Sequence, residues 1–173
     1  LFVSVSSSGT GNRVMYSSSG ATASAGFYKS TGHSWATSSV PFARAWSSVT
    51  YGNGIFVAVS SDSYIATSYD GVTWTESSSS ITSGNIFLSA TYANGRFLVS
   101  SMYPLPFGSY YYSYDGLNWA TSSASGVNGS SIVYGSSTFV SVIGTSVGTS
   151  YDAITWTSRT PARPINWETI PYG

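Results

Sequence analysis

This 173-residue sequence predicts an all-β fold, a small β-propeller of four blades with four antiparallel strands each, on three observations. The first is a recurring unit. YGNGIFVAVS…SYDGVTW, from Tyr51 to Trp74, returns as YANGRFLVSS…SYDGLNW from Tyr92 to Trp119 and as YGSSTFVSVI…SYDAITW from Tyr134 to Trp156. The second is its period: the closing tryptophans Trp35, Trp74, Trp119 and Trp156 stand 39, 45 and 37 residues apart. Four short strands in roughly 40 residues make one blade of a ring. The third is a unit cut in two, since the chain ends WETIPYG (Trp167 to Gly173) and begins LFVSVS (Leu1 to Ser6).

Within the first full unit, WSSVTYG (Trp46 to Gly52) alternates like a half-buried strand. Asn53-Gly54 follows, a pair suited to a type I′ turn because both turn residues need positive φ. The apolar run IFVAVS (Ile55 to Ser60) predicts a second strand buried on both faces, and Tyr64 to Tyr69 a third. Asp70-Gly71 reads as another two-residue turn, with Val72 to Thr75 opening the fourth strand.

The blades are expected at residues 46–75, 87–120 and 129–157, and at 166–173 joined with 1–36. Trp35 to Tyr51, Trp74 to Tyr92, Trp119 to Tyr134 and Trp156 to Tyr172 are separated by 16, 18, 15 and 16 residues, so the tail is in register as a first strand. Its second strand is found at the head of the chain. Pairing Trp167–Tyr172 with Phe2–Ser6 would remove two exposed sheet edges and close the ring. An arc of a larger ring or of a longer array is the alternative. In the split unit, YSSSG (Tyr16 to Gly20) and KSTGHSW (Lys29 to Trp35) compete as the turn motif, and ATASAG (Ala21 to Gly26) reads as a loop.

Composition narrows the function. Ser and Thr supply 57 residues and charged residues only 7%, but Val, Ile, Phe and Trp return at strand spacing and supply a core. Net charge is zero, with Lys29 and five arginines, which leaves little to neutralise phosphates, so nucleic acid is not expected as a partner. No apolar run approaches the length of a membrane span, and no membrane insertion is expected. Without cysteine there are neither disulfides nor thiolate metal sites. No metal or other cofactor is expected. The chain begins at Leu1, which fits a processed form or a portion of something longer.

SYDGVTW, SYDGLNW and SYDAITW resemble the Asp-box of sialidase-type propellers, Ser-x-Asp-x-Gly-x-Thr-Trp, although here Asp and Gly are adjacent. A tighter resemblance is to the YGNGxFVAV…SxDGxxW repeats of BNR-like proteins among bacterial surface proteins and phage tail components. It covers all four units, departing at Ala153 and in the split unit. The resemblance implies a propeller at an extracellular, cell-surface or virion location, with carbohydrate binding or adhesion among its roles. The repeat occurs in proteins of many roles, so the site must carry the function.

Asp70, Asp115 and Asp152 invite a catalytic or metal role, but each opens a turn, where Asp tolerates positive φ and bonds local amides. With Gly71 and Gly116 they are read as structural, and Trp74, Trp119 and Trp156 as packing between blades. His33 has no partner nearby in sequence for general-base work. The resemblance to sialidases implies an arginine cluster with a Tyr–Glu pair. Here Arg13, Arg44, Arg96, Arg159 and Arg163 do not recur at matching positions, and the glutamates are Glu76 and Glu168. No catalytic residues are assigned, and no enzyme is expected.

The second unit carries an insert, SMYPLPFGSYYY (Ser101 to Tyr112). Tyr103, Phe107, Tyr110, Tyr111 and Tyr112 around Pro104 and Pro106 are the expected ligand-binding surface, because exposed aromatics contact sugars or proteins at low entropic cost. A loop folded over the ring is the competing reading. The expected function is non-catalytic binding of a glycan or a surface receptor. A structural or assembly subunit, and a sialidase-like hydrolase, are the alternatives.

Overall fold

The structure, a computed structural model, describes residues 1–8, 13–17, 35–38, 43–77, 81, 84–102, 109–123, 129–163, 165–167 and 170. The split unit forms β1 (Phe2–Val5), β2 (Val14–Ser17) and β3 (Trp35–Thr37), paired in that order. The first full blade comprises β4 (Trp46–Gly52), β5 (Ile55–Ser60), β6 (Ile65–Ser68) and β7 (Thr75–Glu76). The second comprises β8 (Phe87–Ala93), β9 (Arg96–Ser101), β10 (Ser109–Ser113) and β11 (Ala120–Thr121), and the third β12 (Ser131–Gly135), β13 (Thr138–Ile143), β14 (Ser146–Ser150) and β15 (Thr157–Arg159). Each full blade is an antiparallel meander, so the protein is a small all-β propeller of four sheets.

The first hairpin of each blade follows its turn chemistry. Asn53 and Gly54 have φ of 48° and 80°, and Asn94 and Gly95 have 50° and 73°. In the third blade Ser136 and Ser137 adopt the same geometry at 47° and 60°, without a glycine. The two-residue loops fix the register that pairs Tyr51 with Phe56, Tyr92 with Phe97 and Tyr134 with Phe139, rings 4.5 to 4.6 Å apart.

The core lies between sheets. On β5, Ile55, Val57 and Val59 join Phe87, Phe97, Val99 and Tyr111 of the second blade, while Phe56 and Ala58 join Val14 of the split sheet, with Trp46 and Trp74. Alternate side chains of one strand therefore serve two cores, which is why the run is apolar throughout. Leu98, Tyr110, Ile132, Phe139 and Trp156 fill the space between the second and third blades. In the three full blades the closing Trp packs toward the blade before its own: Trp74 on the split sheet, Trp119 on the first blade, Trp156 on the second. A side chain of that size contributes roughly 2–3 kcal/mol by burial.

A bulge between Trp46 and Ser48 frees Ser47, whose Oγ donates to Val59 O at 3.1 Å and Phe87 O at 2.8 Å and so ties the first blade to the second. Close by, Ser48 Oγ accepts from Ala90 N at 3.1 Å. The tail repeats the arrangement on the third blade. Ile170 N donates to Ser131 Oγ at 3.4 Å, and Trp167 N to Gly144 O at 2.7 Å. Of the tail strand expected to pair with Phe2–Ser6, residues 168–169 and 171–172 lie outside the described residues.

Two strand expectations are corrected. The third strand ends at Ser68, and the fourth is Thr75–Glu76, opening after Trp74 instead of at Val72. The connection is a six-residue turn, because the Asp70 carboxylate captures the amides of residues 72 and 73 that a ladder would use. In the split sheet, β2 takes the third-strand place and β3 the fourth, so Tyr16 pairs with Ala36 as Thr67 pairs with Thr75. The remainder of that unit, His33 and the expected 21–26 loop included, lies outside the described residues.

Candidate recognition surface

The turn after the third strand is built alike in all three full blades. Ser68 Oγ donates to Asp70 Oδ1 at 2.9 Å and accepts from Gly71 N at 2.8 Å. Asp70 Oδ1 accepts from Val72 N and Thr73 N at 2.8 and 2.7 Å, and Trp74 Nε1 donates to Gly71 O at 3.2 Å. Ser113, Asp115, Gly116 and Trp119 repeat the set, and in the third blade Ser150, Asp152, Ala153 and Trp156 repeat its carboxylate and indole bonds, with Ser150 Oγ accepting from Asp152 N at 3.3 Å. The positive φ falls on Gly71, Gly116 and Ala153, at 72°, 76° and 59°, and not on the aspartates as the sequence reading expected. The aspartates act through hydrogen bonds alone.

Those bonds favour the charged carboxylates. Amides of Thr73 and Val72, with the Ser68 hydroxyl, hold Asp70 down at about 2. Burial opposes the charge on Asp115, but the amide and side chain of Asn118 and the amide of Leu117 outweigh it and leave its pKa depressed. Asp152 is depressed likewise, its burial outweighed by the amides of Thr155 and Ile154 and the Ser150 hydroxyl. Such carboxylates are poor general acids at neutral pH. Asp62 accepts from Ala45 N at 3.3 Å. Glu76 is held by Arg44, Nε to Oε1 at 2.9 Å, with the guanidinium 3.3 Å above the Tyr64 ring. Among the described residues no group of three His, Cys, Asp or Glu could hold a metal ion, and no helix is long and apolar enough to cross a membrane.

The insert's aromatic strand faces inward, which corrects its expected role. Tyr110 is 1% exposed, stacks on Trp156 at 4.2 Å and hydrogen-bonds Ser141 through its hydroxyl. Burial pushes its phenol pKa up, with the Ser141 bond opposing in part. Tyr111, 7% exposed, donates to Asn85 Oδ1 at 2.9 Å and meets Phe87 edge-on. Tyr112 is half-buried against the same core as Tyr110. The physical reason is that β10 is covered on both faces, so alternation sends Tyr110 and Tyr111 into different cores and neither to solvent. Tyr103 and Phe107 lie outside the described residues.

Exposed aromatics stand elsewhere. The Tyr between Ser and Asp of each turn projects outward: Tyr69 is 74% exposed, Tyr114 56% and Tyr151 71%. Sequence reasoning passed over them, although the signal was the repeat itself, an aromatic kept at a turn position with nothing to pack on. Beside Tyr69 lies a cleft of about 360 Å³, bounded by Thr67, Asp70, Thr73, Thr75 and, from the next blade, Leu117. Beside Tyr151 lies one of about 140 Å³, bounded by Thr149, Asp152, Thr155, Thr157 and Arg159. Tyr114 differs, meeting Tyr112 edge-on at 6.0 Å with the Arg96 guanidinium 5.2 Å above its ring.

No family model matches the sequence, and no curated protein matches it. Among solved structures the chain is similar to the computationally designed proteins Ika4 (TM-score 0.55, 9% identity, 75% of this chain and 81% of that one) and Ika8 (0.54, 10%, 75% and 40%). It is similar also to YCF48 bound to D1 peptide (0.54, 16%, 75% and 46%). The match thus spans less than half the length of Ika8 and of YCF48. At these identities the likeness establishes the fold alone.

Proposed function

We propose that the protein is a non-catalytic recognition module acting at an extracellular, cell or virion surface, and that it binds glycan. One observation carries this reading: Tyr69 and Tyr151 stand exposed at equivalent turns, each beside a cleft edged by threonine hydroxyls. An aromatic face next to hydroxyls is the chemistry a sugar ring requires, apolar CH groups on one side and hydrogen-bonding groups at the rim. The carboxylates support the absence of catalysis. Glycoside cleavage needs two free carboxyl groups flanking one bond, one with a raised pKa. Here Asp70, Asp115 and Asp152 are depressed and committed to three separate turns, and Glu76 is paired with Arg44.

The test is a glycan array probed with the full chain, followed by a hydrolysis assay on every glycan retained. Retention without cleavage is the expected result. Cleavage of a retained glycan would overturn the non-catalytic reading, and an array with no retained glycan would remove the glycan reading in favour of a protein receptor or a purely structural role.

A further inference from the structure

We infer that the clefts beside Tyr69 and Tyr151 are two equivalent subsites, each taking one neutral hexopyranose unit, so that the chain binds saccharide bivalently. The inference rests on the glycan-binding reading and adds the site, the sugar class and the stoichiometry. The two clefts match position by position: Thr67 with Thr149, Tyr69 with Tyr151, Asp70 with Asp152, Thr73 with Thr155 and Thr75 with Thr157. Register confirms the equivalence. Thr67 pairs across the strands with Thr75, and Thr149 with Thr157, which places two hydroxyl-bearing side chains together on the floor of each cleft.

The second blade keeps the turn and loses the cleft chemistry. There the paired positions are Tyr112 and Ala120, and Asn118 stands where the others have threonine, its Nδ2 committed to Asp115 Oδ2 at 2.8 Å. The Tyr114 ring, less exposed than Tyr69 or Tyr151, is flanked by Arg96 over one face and by Tyr112 edge-on. At the Thr73 position the turn uses a side-chain donor, Thr73 to Asp70 as Asn118 to Asp115, but it does not need the paired strand threonines, since the second blade forms the same amide bonds with Tyr112 and Ala120 there. The threonines recur where the tyrosine face is open.

Size and charge select the occupant. A cleft of 140 to 360 Å³ receives a single ring and not a broad protein contact, which would need on the order of 1,000 Å² of buried surface. Asp70 and Asp152 keep a charged carboxylate at the rim of each cleft, which repels acidic sugars; Arg159 offsets this in the third blade only. Neutral pyranosides with an unhindered CH face are therefore favoured. Two sites held by one rigid body raise the avidity for a repeating glycan well above that of either alone.

The test uses the full chain and defined probes: the methyl β-glycosides of glucose, galactose and N-acetylglucosamine, with sialyllactose as the acidic comparison. Calorimetric or NMR titration of at least one neutral glycoside is expected to give two sites per chain. Tyr69→Ala and Tyr151→Ala should each leave one site, and the double variant none, with melting temperatures unchanged because both side chains are exposed. Tyr114→Ala should bind as the wild type does, and Tyr69→Phe should retain its site because the stacking face remains. On a surface of polymeric neutral glycan, each single alanine variant should weaken retention by roughly tenfold or more. A double variant that binds like the wild type overturns the inference and leaves glycan binding elsewhere on the chain intact. Array retention combined with no binding of the neutral glycosides, or with a preference for sialyllactose, also overturns the inference alone. An array with no retained glycan removes both readings.

Discussion

Ile170 donates its amide to Ser131 Oγ just as Ala90 donates to Ser48 Oγ, at 3.4 and 3.1 Å. Both donors lie two residues before a tyrosine, Tyr172 and Tyr92, in the repeat. Ala90 belongs to β8, the first strand of the blade that follows β4. The correspondence sets Ile170 where the first strand of the blade following β12 belongs.

Removal of the last eight residues should therefore lower stability by several kcal/mol, on the order of 2–5, through loss of burial and an opened sheet edge. Thermal melts of the full and truncated chains decide the matter. Coincident melts would mean that the tail does not close the ring.

The turn aspartates should prove structural. Asp115→Ala removes the acceptor for the amides of Leu117 and Asn118 and should cost about 1–2 kcal/mol. Asp152→Ala should cost a similar amount, and the double variant the sum, because the two turns share no partner. Denaturant titration measures all three, and a double-variant effect well short of the sum would indicate one coupled site.

Gly116 and Ala153 occupy the same turn position with opposite tolerances. A Cβ on Gly116 would lie 2.9 Å from Val57 Cγ2, at a φ of 76°. Gly116→Ala should thus destabilise by about 1–3 kcal/mol. Ala153 already bears its methyl, fully buried, at a φ of 59°. Ala153→Gly relieves the left-handed strain and loses a buried methyl, two terms of about 1 kcal/mol each, so the net change should stay within about 1 kcal/mol. A large loss for Ala153→Gly would show that packing dominates at that turn.

Acid should weaken the fold through the same carboxylates. Unperturbed aspartate titrates at 3.8, and Asp70 in the turn at about 2. Between those values the unfolded chain binds more protons, so the stabilisation is complete above the unfolded value and is lost as pH falls through the folded one. Asp115 and Asp152 are depressed too and act in the same direction. Urea midpoints should hold steady down to about pH 4 and fall toward about pH 2, with a shallower fall for Asp70→Asn. An equally steep fall in that variant would place the proton-linked site elsewhere.

Much of the fold was legible in the sequence because its determinants are local. Trp46–Gly52 and Ile55–Ser60 are the strands that alternation and Asn53-Gly54 predicted. The turn at Asp70 was drawn too tight because a carboxylate binding amides two and three residues ahead leaves no mark on hydrophobic period. Tyr110 and Tyr111 were misplaced for a different reason. Their hydroxyl partners, Ser141 and Asn85, are 31 and 26 residues away in sequence, so only the folded chain reveals that these phenols are satisfied inside. Burial of Ile55–Ser60 on both faces was read from its apolar run, a signal that the Ser-flanked tyrosines of β10 do not give.

Because β5 and β9 each divide their side chains between two neighbouring sheets, neither the first nor the second blade owns a core of its own among the described residues. An excised blade would expose both faces of its second strand and could not hold its shape. Unfolding is accordingly expected to be concerted across the ring instead of blade by blade. The same arrangement constrains sequence change: a new side chain on β5 must fit only one neighbour, but the strand's twist and position must satisfy two. Whole units are therefore easier to add or remove than single strands.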